Sequence, residues 1–126
     1  MPGPPASKPN SMPPNTPVGI IGLGLIGSAF AGRLIDAKIS VVGFDIQAVS
    51  REKLTANGGL VANSVCELAG RCPTILVAVY SGEQVEALFA DIENGAGPAR
   101  PIVIYTTTCA PDEIIRLVEK GSKFNV

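Results

Sequence analysis

Histidine is absent from all 126 residues. Without an imidazole the chain has no Ser-His triad, no histidine general acid or base and no His-ligated metal site. Cysteine is scarce: Cys66, Cys72 and Cys109 lack metal-ligand spacing, and an odd count of three argues against a disulfide framework. These thiols therefore predict no metal centre and a reducing, cytoplasmic setting, with Cys66 and Cys72 packing as small hydrophobes in or beside a helix. Neither sign of charge is in excess. Ten Lys and Arg against eleven Asp and Glu leave a net charge of −1, and no basic patch interleaved with aromatics points to nucleic acid or a membrane surface. The longest apolar run falls far short of the roughly 18 residues that a bilayer span requires.

What the chain does have is 46% hydrophobic residues and 14 glycines, a composition that suits one compact domain of sheet and helix. The first seventeen residues, MPGPPASKPNSMPPNTP, carry seven of the eleven prolines and little that can pack, so they read as an extended, disordered tail. Domain structure is expected over 18–126.

The run VGIIGLGLIG, Val18 to Gly27, passes from an apolar strand through Gly22, Gly24 and Gly27 into the helix former SAFAGRLIDA. This is the dinucleotide-binding fingerprint in the context it requires. Gly22 serves a tight turn, a side chain on Gly24 would keep the backbone away from a pyrophosphate, and Gly27 lets the new helix press on the sheet. That helix directs unpaired N–H groups and about half a positive charge at an arriving anion. The next apolar run, ISVVGFD, ends in Asp45, eighteen residues after Gly27, where a carboxylate accepts hydrogen bonds from an adenosine ribose. The same carboxylate repels the 2′-phosphate of NADP. Ile46 and Gln47 offer no cation to neutralise it, and Arg51 comes several residues later, so NAD is preferred over NADP. The alternative for Asp45 is a plain helix cap.

From Val18 on, strand-like and amphipathic stretches alternate, the signature of an α/β, doubly wound parallel sheet. Strands are predicted at Val18 to Ile21, Ser40 to Phe44, Leu60 to Ala62, Thr74 to Tyr80 and Ile102 to Thr106. Helices are predicted at Leu25 to Asp36, Ala48 to Ala56, from an Asn63 or Ser64 cap to about Gly70, at Glu83 to Glu93 and from Pro111. In the fourth helix, Val85, Leu88, Phe89 and Ile92 recur at helical spacing and read as core. With strand order 3-2-1-4-5, ligands bind beyond the carboxyl ends of the strands, where the order reverses between strands 1 and 4. The candidate cofactor contacts are therefore Gly22, Leu23, Gly24, Leu25, Ile26 and Gly27, then Asp45 and Ile46, then Val79 and Tyr80, and finally Thr107.

The segments GIIGLGLIGSAFAGRL, VVGFD, GEQVEALF and TTTCAPDE together resemble the N-terminal cofactor domain of the β-hydroxyacid dehydrogenases, the family of 3-hydroxyisobutyrate and 6-phosphogluconate dehydrogenases. The first segment matches that family's G-x-I-G-L-G-x-M-G pattern, with Ile26 in place of Met. Thr107, Thr108 and Pro111 take the places of its S-T-x-x-P segment, and Tyr80 stands where the family generally has Pro. The resemblance implies a Rossmann-type domain and hydride transfer between NAD(P) and a small hydroxy acid. It also implies a lysine general acid/base in a second, helical domain. None of the five lysines here fits that role, so the chain is expected to bind cofactor without completing catalysis, and no catalytic residue is assigned to it. Exposed apolar surface around the fifth strand and last helix then predicts a homo-oligomer. The alternatives are a free-standing nucleotide-binding or sensing module that docks on a partner protein, or a fold that holds FAD or S-adenosylmethionine.

Overall fold

A computed structural model describes residues 16–98, 100–107 and 110–123. The predicted tail up to residue 15, Thr108 and Cys109 lie outside them. Strands β1 (Val18–Ile21), β2 (Val41–Phe44), β3 (Leu60–Val61), β4 (Thr74–Val77) and β5 (Ile102–Tyr105) alternate with helices α1 (Leu25–Asp36), α2 (Ala48–Ala56), α3 (Val65–Arg71), α4 (Gly82–Gly95) and α5 (Pro111–Lys123). All strand pairs are parallel, and the sheet order is β3-β2-β1-β4-β5. This is the expected doubly wound topology.

Because successive side chains of a strand point to opposite faces, the sheet has two cores. Ile20, Val41 and Leu54 pack with Leu23 and Ala31 on one side; Ile75, Val77, Leu68, Phe89 and Ile92 pack on the other. β5 is covered on one face only. Val103 and Tyr105 meet the second core, whereas Ile102 and Ile104 remain 67% and 46% exposed.

The predicted fourth strand runs three residues too far. The ladder ends at Val77 paired with Tyr105, and Ala78 to Tyr80 turn away so that Ser81 can cap α4. There Ser81 Oγ accepts from Gln84 N–H, while the Gln84 side-chain oxygen accepts from the N–H groups of both Tyr80 and Ser81. A proline at position 80 would have no N–H to give this capping box. Ser64, not Asn63, caps α3, accepting from Glu67 N–H, while Asn63 N–H donates to the Glu67 carboxylate.

The cysteines divide. Cys72 is buried, and burial pushes its thiol up to about 11, which fits a packing role. Cys66 is exposed, contrary to the expectation that both pack, because it faces outward from α3. Among the described residues, no helix is long and apolar enough to cross a membrane, and no cluster of His, Cys, Asp or Glu is placed to hold a metal ion.

Candidate dinucleotide-binding site

The carboxyl ends of β1, β2 and β4 enclose a groove of about 500 Å³. Of the sequence candidates, Gly22, Gly24, Asp45, Ile46, Val79 and Tyr80 line it. A recess of about 160 Å³ continues past Gly24, Val79 and Tyr80 to Leu25, Ile26 and Thr107. Nine of the eleven candidates thus converge on one continuous surface, although they come from four separate strand ends.

The glycine corner is built by close backbone crossings. Gly22 has φ +95°, and a Cβ there would lie 2.5 Å from the Ala78 carbonyl oxygen. A Cβ on Gly27 would fall on the Gly22 carbonyl oxygen, far inside van der Waals contact. The first helical bond of α1 runs from Ser28 N–H to Gly24 C=O, so the amides of Leu25, Ile26 and Gly27 precede it and have no intrahelical acceptor. Gly24 has no side chain to cap them, and the first turn of α1 carries no acidic group. Space over Gly24 is bounded by the tip of one flexible side chain, the Tyr80 hydroxyl, 2.8 Å from where a Cβ would stand. Tyr80 is 79% exposed and swings aside at little cost. These residues fit a diphosphate: bare backbone, free N–H donors and the positive end of a helix dipole meet at one point.

One candidate plays a different part from the one expected. Leu23 puts its side chain in the core, and its N–H donates to Asp45 Oδ2 at 2.7 Å, so it supports the groove and does not line it. Gly27 packs on the sheet as its place in the glycine spacing predicts, and its amide is among those that precede the first helical bond. Asp45 is neither simply a ligand nor simply a cap. One oxygen accepts from Leu23 N–H and the other from Gln47 N–H at 2.8 Å, so the carboxylate fastens the glycine loop to the end of β2 while keeping lone pairs for a ligand. Arg51 corrects the sequence reading. The first turn of α2 carries it back to the strand end, where Nη1 donates to the Asp45 carbonyl oxygen at 2.6 Å. A cation therefore stands beside Asp45 after all.

Sequence reasoning missed Gln47, Ser50 and Leu88 on the groove wall. Leu88 was assigned to the core from its spacing in α4; it is half-buried and packs on the core edge while its outer side faces the groove. Its place in α4, directly before buried Phe89 and four before buried Ile92, carries no signal of that double duty. On the far side, Thr107 Oγ1 donates to Val79 O at 2.7 Å and Thr106 Oγ1 to Val77 O at 3.0 Å. The two threonines strap the end of β5 to that of β4, which leaves the Thr107 hydroxyl an acceptor toward the recess.

A doubly wound sheet with a glycine corner at its switch point defines a dinucleotide-binding domain. Residues 17–125 match the family model described as the NAD binding domain of 6-phosphogluconate dehydrogenase, and the chain belongs to that family. It is 31% identical over 110 residues to L-threonate dehydrogenase of Cupriavidus necator, a match covering 82% of this chain and 37% of the relative. Among solved structures, 3-hydroxyisobutyrate dehydrogenase of Mycobacterium tuberculosis with L-serine superposes at a TM-score of 0.78 and 23% identity, over 86% of this chain and 37% of that one. A variant imine reductase from Myxococcus stipitatus in complex with NAD+ gives a TM-score of 0.78 at 17% identity, over 91% and 39%. At such identities the superpositions speak for the fold alone.

Proposed function

We propose that this chain is the cofactor-binding unit of a dehydrogenase that passes hydride between NAD and a small hydroxy acid, and that it binds NAD without turning over substrate unaided. The observation that carries the reading is the uncapped N-terminus of α1, with Leu25, Ile26 and Gly27 N–H groups presented at a corner cleared by glycine. The 31%-identical L-threonate dehydrogenase supports a hydroxy acid as substrate class. Because this chain spans 37% of that relative, the substrate contacts and proton-transferring group are assigned to a longer polypeptide containing this domain. When bound, the cofactor supplies the hydride acceptor. This chain's residues hold the diphosphate at Gly24, the ribose at Asp45 and the nicotinamide end near Thr107. A cytoplasmic setting goes with this chemistry. No observation favours a free-standing sensing module.

Asp45 would place negative charge against a 2′-phosphate, while the Arg51 guanidinium is held on the Asp45 carbonyl oxygen. The carboxylate, which would accept from the ribose hydroxyls and repel a 2′-phosphate, would set the preference for NAD. Calorimetric titration with both cofactors is the test: NAD is expected to bind more tightly, and equal or tighter NADP binding overturns the assignment of Asp45.

The uncovered face of β5 exposes Ile102 and Ile104, and α5 exposes Ile114, Ile115 and Val118. Exposed apolar surface of this kind favours association, so light scattering should find dimers or larger species. A strictly monomeric chain at high concentration counts against it.

A further inference from the structure

Among the described residues that line the groove and its recess, none is positively charged, and Asp45 is the single charged one. A dinucleotide brings a doubly negative diphosphate to this surface. The end of α1 supplies its amides and about half a positive charge, so any further donor must come from a neutral side chain. Thr106 and Thr107 spend their hydroxyl hydrogens on Val77 O and Val79 O, while Gln47 and Ser50 belong to the start of α2, on the Asp45 side. Tyr80 reaches the corner. Its hydroxyl stands 2.8 Å from where a Gly24 Cβ would be, and the three nearest atoms to that point, apart from Gly24 and its chain neighbours, are all Tyr80 ring and hydroxyl atoms.

The backbone of Tyr80 is held while its ring is loose. Gln84 Oε1 accepts its N–H at 2.8 Å, and the Thr107 hydroxyl holds the preceding carbonyl, Val79 O, at 2.7 Å. The Cα–Cβ bond is therefore a fixed pivot, and a ring that is 79% exposed turns about it without breaking a core contact. Tyr80 also lines both the groove and the recess, so it stands at their junction. A molecule reaching from Asp45 to Thr107 passes this residue. An arriving phosphate oxygen pushes the phenol tip off Gly24, but the pivot keeps the hydroxyl beside it, where an O–H to an ionised oxygen makes a charge-assisted bond.

We propose that Tyr80 is a diphosphate clamp: its side chain covers the glycine corner of the free chain, and its hydroxyl donates to a diphosphate oxygen once the ligand is seated. The proposal rests on the dinucleotide reading of the groove. It adds a side-chain donor to a corner otherwise built from backbone, and it favours nucleotides with a diphosphate bridge over nucleosides.

The test titrates the 126-residue chain and its Tyr80→Phe variant with NAD, ADP-ribose and adenosine, followed by the backbone amide shifts of Gly24 and Asp45. NAD and ADP-ribose carry the diphosphate; adenosine does not. Tyr80→Phe keeps an exposed ring and removes only the hydroxyl. It should weaken NAD and ADP-ribose about tenfold, the lower end for a hydrogen bond to a charged partner, and leave the weaker binding of adenosine unchanged. The chain has two tyrosines, so with carbon-13-labelled rings the variant identifies the Tyr80 signal, which ADP-ribose should shift in the parent. Undiminished NAD and ADP-ribose binding in Tyr80→Phe, or a Tyr80 ring signal that ADP-ribose leaves in place, overturns the clamp while the cofactor reading stands. A tenfold loss for adenosine as well overturns it too, because the contact is then with the nucleoside. If neither diphosphate probe binds the parent chain, the cofactor reading falls and the clamp with it.

Discussion

Gly27→Ala should lower the melting temperature of this domain by roughly 10–20 °C, the equivalent of about 3 kcal/mol in a domain of this size. The added methyl would land on the Gly22 carbonyl oxygen, 2.9 Å from the Gly22 carbonyl carbon and 3.5 Å from Ala78 Cβ. Overpacking typically costs about 1–3 kcal/mol when side chains can yield. Two of these three atoms are backbone, and Gly22 is itself held at φ +95° against Ala78, so the upper end applies. Any shift that relieves the clash also tilts α1 away from the corner, and cofactor binding should fall with stability. The control is in the same helix. Gly32→Ala meets no atom within 4 Å and should be neutral or stabilising by up to about 1 kcal/mol, since alanine is the better helix former. Calorimetric melting of both variants decides the matter: if Gly27→Ala melts with Gly32→Ala, the tight crossing of β1, α1 and β4 is wrong.

Asp45→Asn is the second substitution with a large expected effect, and it separates two roles of one carboxylate. In the folded chain both oxygens accept backbone N–H groups, those of Leu23 and Gln47. An amide offers one oxygen and turns its NH2 toward the other donor, so one charge-assisted bond, worth about 1.5–3 kcal/mol, is lost. Stability should drop by about 2 kcal/mol. NAD affinity should weaken tenfold or more, because the ribose loses a charged acceptor and the glycine loop its fastening. NADP affinity should fall less, since its 2′-phosphate gains nothing from the carboxylate and keeps Arg51 nearby. A variant that loses stability yet keeps the parent's ratio of NAD to NADP affinity would show that Asp45 is a strap and not a ribose ligand.

A milder effect joins α4 to α5. The Lys120 ammonium hydrogen-bonds the Glu86 carboxylate and, with Arg116 nearby, holds it below the usual carboxylate range. A carboxylate held low stabilises the fold above its unfolded-state value, and that contribution fades as pH falls through the folded-state value. Both side chains are substantially exposed, so this anchoring of α5 is weak and sensitive to salt.

Much of this molecule is legible in one dimension because its determinants are local. Alternation of apolar runs with helical periodicity gave ten elements in their order, and the spacing of Gly22, Gly24 and Gly27 placed the corner, since backbone clearance depends on which residues lack a side chain. Asp45 could be read because strand ends are where a parallel sheet exposes its chain. Element ends were less legible. β4 stops at Val77 because its ladder partner ends at Tyr105 and because Gln84 draws the Tyr80 and Ser81 amides into the α4 cap, a competition between a cross-strand ladder and a local capping box that no run of hydrophobicity records.

What only tertiary structure decided concerns directions and partners across the fold. Arg51 is six residues from Asp45 along the chain, and one turn of α2 returns its guanidinium to the Asp45 carbonyl. Leu23 spends its amide on a carboxylate 22 residues away. Leu88 divides itself between core and groove, Cys66 looks out from α3, and Tyr80 sets its hydroxyl over Gly24. Pattern and spacing determine which elements form and which backbone must be bare, because those are properties of neighbours in the chain. The packing angle of each helix on the sheet determines which side chains meet, because those encounters exist only after folding.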